Sequence, residues 1–314
     1  MKAIVVTNRS AGTAGMKLVE RPDPDAARLA SLEGATYGDV VVDVHASGFT
    51  GNELEWPSTW IDRLGRDRTP SIPGHEVAGV VTALSYGTTG LSVGQRVFGL
   101  TDWTRDGTLA EYAVVEARNL APLPGDVDFT VGAGVAMTGL TAWQGLFDHG
   151  HLQAGQSVLV HGAAGAVGSM ATQLAREAGA YVIGTGRSSG RQTALDFGAH
   201  EFVDLDSDTL EDVGGVDLVF DVIGGDIQRR STGLIRAGGT LVTVTGPPQA
   251  RPADGLAIDF VVVSDRSQLN EIAQRVRDGR VRTNIGTVAT LDDAVAALNP
   301  TERVKGKTII HVRP

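Results

Sequence analysis

The chain has 314 residues, 42% of them hydrophobic, a net charge of −10 and no cysteine. That length buries a sizeable core and suits two domains or one large one, and an acidic chain without a Lys/Arg cluster is a poor partner for nucleic acid. Disulfides and thiolate metal sites are excluded, and no apolar run reaches bilayer length, so no membrane span is expected. The opening Met1-Lys-Ala-Ile-Val-Val-Thr7 runs straight into a strand pattern without a signal-peptide core, which makes a cytoplasmic protein the expectation. Up to about residue 120, short runs such as Val40–Val44, Val77–Val81 and Gln95–Phe98 alternate with turns such as Ser85–Gly90. This pattern predicts a barrel-like β domain. Leu123–Phe129 reads as a boundary loop, and helical character runs from Thr130 to about Asp148.

From about Ser157 the pattern becomes alternating strand and helix. Strands are expected at Val158–His161, Tyr181–Thr185, Phe202–Asp204, Asp217–Asp221, Thr240–Thr245 and Ile258–Val263. Helices are expected at Val167–Ala178, Arg191–Phe197, Asp226–Ile235 and Gln268–Asp278. Such alternation predicts a parallel sheet with helices on both faces. A helix at Asp292–Leu298 and a strand at Lys307–Val312 close the chain, and that strand is expected to return to the first domain. The loop Gly246–Asp254 follows a strand's C-terminal end, the side on which open α/β sheets bind ligands.

The most informative stretch is His161-Gly-Ala-Ala-Gly-Ala-Val-Gly168, between an apolar strand and an amphipathic helix. Glycines recur at 162, 165 and 168. A dinucleotide pyrophosphate needs bare backbone and the free N–H groups of a helix start. Gly165 has no Cβ to block that approach, and Gly168 lets helix and strand pack closely. A tight strand-to-helix connection in any α/β protein has a similar look, but here a second strand follows Gly179 and completes the βαβ unit. Ala163, Ala164, Gly165, Ala166, Val167 and Gly168 are therefore the expected cofactor corner.

NAD sites place a carboxylate at the end of the second strand, on the ribose hydroxyls. That place here reads Thr185-Gly-Arg-Ser-Ser-Gly-Arg191, with no acid before Asp196. Guanidinium and hydroxyl groups suit a 2′-phosphate. The expected cofactor is NADP(H), with Arg187, Ser188 and Arg191 as phosphate contacts.

The chain resembles the medium-chain dehydrogenase/reductase superfamily, in its zinc-free quinone oxidoreductase-like branch. The segments that carry the resemblance include Pro73-Gly-His-Glu76, Val93-Gly-Gln-Arg-Val-Phe-Gly99, Gly107-Thr-Leu-Ala-Glu-Tyr112, Thr138-Gly-Leu-Thr-Ala-Trp143, the glycine corner, Val216–Gly225 and Gly306-Lys-Thr-Ile-Ile310. It implies an α/β fold: a GroES-like β-rich catalytic domain at 1–122, to which 286–314 returns, plus a Rossmann doubly wound parallel-sheet domain at 123–285. It also implies an active site in the cleft between them and a homodimer built through the Rossmann sheets. On the cofactor side it implicates Thr138 near the nicotinamide, Val222 and Ile223 along the cofactor path, and Thr245, Gly246, Phe260 and Val262 at the nicotinamide end.

Zinc-dependent relatives carry a cysteine where this chain has Thr50, and a later ligand falls near Ala133. Only His75 survives, and one histidine does not make a catalytic zinc site. Charge arriving on a substrate oxygen then needs a hydroxyl or imidazole donor, which makes Thr50 and His75 the catalytic candidates. Metal-free hydride transfer suits quinones and conjugated enones, small electrophiles whose reduced forms need little stabilisation. Two other readings stay open: a zinc-type alcohol dehydrogenase with a divergent site, and a non-catalytic NADPH-binding sensor or scaffold. Glu53 is read as structural, and Trp56 and Trp60 either as pocket walls or as packing.

Overall fold

The computed structural model describes residues 1–26, 37–302 and 304–313. The chain forms two compact units: Met1–Met137 with Ser264–Arg277 and Ile285–Pro314, and Thr138–Val263 with Asp278–Asn284. The division falls inside the helix Phe129–Trp143, beyond the boundary loop expected at Leu123–Phe129. That helix is apolar throughout, with Ala133, Ala136, Leu140 and Ala142 fully buried, so nothing in its composition marks the division.

In chain order the strands are β1 (Lys2–Val5), β2 (Lys17–Glu20), β3 (Asp39–Gly48), β4 (Glu76–Leu84), β5 (Arg96–Leu100), β6 (Tyr112–Glu116) and β7 (Leu120–Pro122). Then come β8 (Ser157–His161), β9 (Tyr181–Gly186), β10 (Glu201–Asp204), β11 (Val216–Asp221), β12 (Ile235–Thr243), β13 (Gly255–Asp259), β14 (Ile285–Thr290) and β15 (Lys307–His311).

In the first unit β1 pairs with β2, and a seven-stranded sheet runs β14-β15-β3-β4-β5-β7, with β6 also on β3. Val40, Val42 and Val44 of β3 are fully buried against Val77, Val81, Val97 and Val115. β3 is longer than Val40–Val44 because its polar continuation, His45 to Gly48, is held in ladders to β4 and β15. The closing strand β15 pairs antiparallel with β3.

The second unit is a six-stranded sheet in the order β10-β9-β8-β11-β12-β13, all of its pairs parallel. Strands β8 and β11 are apolar runs with Val158, Leu159, Val160, Val219 and Phe220 fully buried, as sheets covered on both faces require. The order reverses between β8 and β11. In sheets of this kind ligands bind beyond the carboxyl ends of the strands at that reversal.

Some expected boundaries shift, and the helical run expected to about Asp148 is found. The helix expected at Asp226–Ile235 is Gly225–Ser231 with a 3-10 turn, and Ile235 opens β12. Strand β13 begins at Gly255 rather than Ile258. Helical character after Phe129 ends in a π-helical turn, Gln144–His149. Among the described residues, no helix is long and apolar enough to cross a membrane.

Candidate functional site

In the second unit the glycine corner follows β8 directly. Gly162 adopts φ +67°, which favours glycine. Gly165 is the N-cap of the helix Ala166–Glu177 and provides no side-chain cap. The first N–H groups of that helix, on Ala166, Val167 and Gly168, have no intrahelical acceptor, as at any helix start. The two later glycines have different jobs. A Cβ on Gly168 would lie 2.1 Å from the Gly162 carbonyl, so helix and strand could not pack. A Cβ on Gly165 would meet only the Gly162 carbonyl, at 3.2 Å. Its outer side is open.

Most of the other expected cofactor residues follow the carboxyl ends of neighbouring strands, while Thr138 lies on the helix Phe129–Trp143. Arg187 and Ser188 follow β9 and are exposed. Val222 and Ile223 follow β11, with Ile223 exposed. Thr245 and Gly246 follow β12, where the Thr245 hydroxyl lies 3.0 Å from that of Thr243. Phe260 follows β13, and its ring lies 4.5 Å from that of His149. Val262 and Thr138 are buried. The Arg191 guanidinium donates to the Phe202 carbonyl at 3.0 Å and to Asp208 at 3.2 Å.

Beneath the corner lies a buried polar network absent from the sequence reading. His161 is fully buried, with Nδ1 2.8 Å from the Thr185 hydroxyl and Nε2 2.7 Å from that of Ser231. Burial holds its pKa down at about 4. Fully buried Asp221 accepts the N–H groups of Ile223 and Gly224 at 2.9 Å, plus Gln228 and Thr243 at 2.8 Å. This fixes the turn after β11. A histidine before the corner and an aspartate closing an apolar strand were the available signals.

In the first unit, His75 lies just before β4 and is buried. Glu53, fully buried, accepts from His75 Nδ1 at 2.8 Å and from the Gly74 N–H. That bond leaves Nε2 as the ring's second proton position, and it has no partner among the described residues. Trp56 and Trp103 stand against the ring at 5.9 and 5.1 Å. Trp60, by contrast, is core: it is buried and its Nε1 donates to the Leu54 carbonyl. The Thr50 hydroxyl donates to Met137 Sδ at 3.2 Å. Glu76 is fully buried and ion-paired with Lys307, and it accepts the Met137 N–H at 3.1 Å. Burial pushes its carboxyl pKa up, against the pull of Lys307. Among the described residues, no three His, Cys, Asp or Glu side chains are grouped to hold a metal ion.

Comparison with known proteins places this geometry in a family. The profile of the alcohol dehydrogenase GroES-like domain matches residues 36–125, and that of the zinc-binding dehydrogenase domain matches 166–266. The quinone oxidoreductase of Mus musculus is 31% identical over 294 residues, covering 86% of this chain and 87% of its own. The 2-methylene-furan-3-one reductase of Solanum lycopersicum is 32% identical over 273 residues, covering 80% of this chain and 68% of its own. The mycobacterial protein Rv1454c, solved with NADPH, superposes with a TM-score of 0.82 at 25% identity, covering 99% of this chain and 100% of its own.

Proposed function

This chain belongs to the medium-chain dehydrogenase/reductase superfamily, in its quinone oxidoreductase-like branch, and from that premise we propose that it is an NADPH-dependent reductase of quinones and α,β-unsaturated carbonyls that works without zinc. The observation that carries the reading is the open glycine corner at the strand-order reversal, flanked by exposed Arg187 and Ser188 where an NAD site would carry a carboxylate. When bound, NADPH supplies a hydride to an electron-poor carbon.

The chain's own residues do the rest. The N–H groups of Ala166, Val167 and Gly168 hold the pyrophosphate at the positive end of their helix. Arg187 and Ser188 hold the 2′-phosphate. Val222, Ile223 and Thr245 border the cofactor path, and Thr138, Gly246, Phe260 and Val262 border its nicotinamide end. His75 gives a proton from Nε2 to the reduced substrate, with its ring fixed at Nδ1 by Glu53. Thr50 supplies a hydroxyl as a second donor when it turns from Met137 Sδ to the substrate. The donor set does not suit zinc: Thr50 is turned to Met137, Ala133 has no ligand atom, and His75 is left as a single imidazole, with no group of three metal-ligating side chains among the described residues. The relatives named quinone oxidoreductase and 2-methylene-furan-3-one reductase support the two substrate classes. The exposed edge strand β13, with Leu256 57% exposed, supports pairing into a homodimer.

The test is NADPH consumption against a panel of quinones, conjugated enones and saturated ketones, with elemental analysis of the same protein. The expected result is turnover of quinones or enones at well under one zinc per chain. Turnover that requires stoichiometric zinc, or none with any quinone or enone, would refute the reading. His75→Asn should lower kcat by roughly 10²-fold, the scale of a lost general acid, with NADPH affinity unchanged.

A further inference from the structure

We propose that Asn284 is a positioning residue for the dinucleotide, bracing the glycine corner from a segment more than a hundred residues away in the chain. The inference rests on that corner being the pyrophosphate site. The peptide joining Ala164 to Gly165 is held at both polar ends. Its N–H donates to the Gly162 carbonyl at 2.8 Å, and its carbonyl accepts from Asn284 Nδ2 at 2.9 Å. Ala164 also faces the turn after β9, where a Cβ added to Gly190 would meet the Ala164 methyl at 2.9 Å.

Asn284 is not a loose surface amide. Its segment, Asp278–Asn284, belongs to the second unit. Gln173, on the helix that begins at the corner, donates to the Arg282 carbonyl and accepts the Arg282 N–H, both at 2.9 Å. Val281 is buried, and Arg282 donates to the Asp196 carbonyl at 3.1 Å.

The brace has a physical use. A glycine-rich corner has more conformational freedom than other backbone, and ordering it during binding weakens affinity. Fixing the Ala164–Gly165 peptide beforehand removes that cost. It also keeps the Ala164 carbonyl dipole from turning toward an arriving phosphate. NADPH and NADH share the pyrophosphate, so the brace serves both alike. In this it differs from Arg187, which concerns only the 2′-phosphate.

Asn284→Ala and the near-isosteric Asn284→Asp test this in the full-length chain. Calorimetry would give the Kd of each nucleotide, and hydrogen exchange of residues 162–168 would be followed without nucleotide. Both Kd values should rise in parallel by roughly tenfold. The corner amides should exchange faster, with the thermal midpoint nearly unmoved, and Asp should be worse than Ala because it sets a carboxylate against the carbonyl. Should Asn284→Ala fail to fold, Gln173→Leu frees the same segment and should give the same parallel rise. Unchanged affinities with unchanged exchange, or a loss confined to NADPH, would overturn the proposal. If Gly165→Val abolishes binding while Asn284→Ala leaves it intact, the brace alone fails. If Gly165→Val binds normally, the reading of the corner itself fails.

Discussion

His161 shows how a single buried residue ties the cofactor corner to solution pH. Its ring is enclosed between Thr185 and Ser231 and held neutral, with a pKa near 4 against an ordinary value of 6.5. As pH falls below 6.5 the unfolded chain takes up a proton that the folded chain refuses. Stability is therefore full above about pH 6.5 and is lost as pH falls toward 4, by up to about 3 kcal/mol from this group. Urea unfolding of wild type and His161→Asn across that interval should show a steeper pH slope in wild type, and equal slopes would contradict the account. Arg187 is the second decisive residue. Arg187→Glu should weaken NADPH far more than NADH, because it sets like charge against the 2′-phosphate; calorimetry showing equal losses would remove Arg187 from that role. The strand-end position of Arg187 was legible in the sequence, from the apolar run that precedes it. The partners of Arg191, Asp208 and the Phe202 carbonyl, were not, because they are fixed by the pairing of β10 with β9.

At the scale of elements, β15, β3 and β4 are clamped across a glycine. Lys307 on β15 and Glu76 on β4 form an ion pair over Gly48 of β3, where a Cβ would lie 2.5 Å from the Glu76 carboxylate and 2.9 Å from Lys307 Cε. Lys307→Met leaves a buried carboxylate without its counter-charge and should cost about 3 kcal/mol in denaturant unfolding. The double variant with Glu76→Gln should recover part of that loss, and a single variant as stable as wild type would show the pair to be dispensable. The pair joins residues 231 apart by number, so no local pattern announces it; only the resemblance drew attention to either end. Apolar cores such as Val158–Val160 were legible because a fully buried parallel strand reads as a continuous run. β14 was not, because it alternates half-buried and exposed residues beside a glycine. The start of β12 was also hidden: Gly238 takes φ +77° beside a register shift against β11, so a strand with a bulge read as a breaker.

For the whole molecule, the sheet of the second unit ends at β13 with an unpaired edge carrying Leu256. If the proposed homodimer forms through that edge, Leu256→Asp should sediment as a monomer where wild type sediments as a dimer, and an oligomer unchanged by the substitution would contradict an interface there. The two-part fold was legible from the change of periodicity near Ser157 and from the ordered set of family segments. The placement of most cofactor candidates after successive strand ends was legible from the strand-and-helix alternation, Thr138 on its helix excepted. The Glu53–His75 pair was hidden because the two residues lie 22 apart, one opening the 3-10 turn Glu53–Glu55 and the other just before β4. The central claim is that a 2′-phosphorylated dinucleotide rests on the bare corner at Gly165, and it is tested most directly by titrating NADPH and NADH calorimetrically into wild type and Gly165→Val. NADPH should bind at least about tenfold more tightly than NADH, and neither should give heat with Gly165→Val. NADH binding as tightly as NADPH, or a Gly165→Val chain with wild-type affinity, would contradict it.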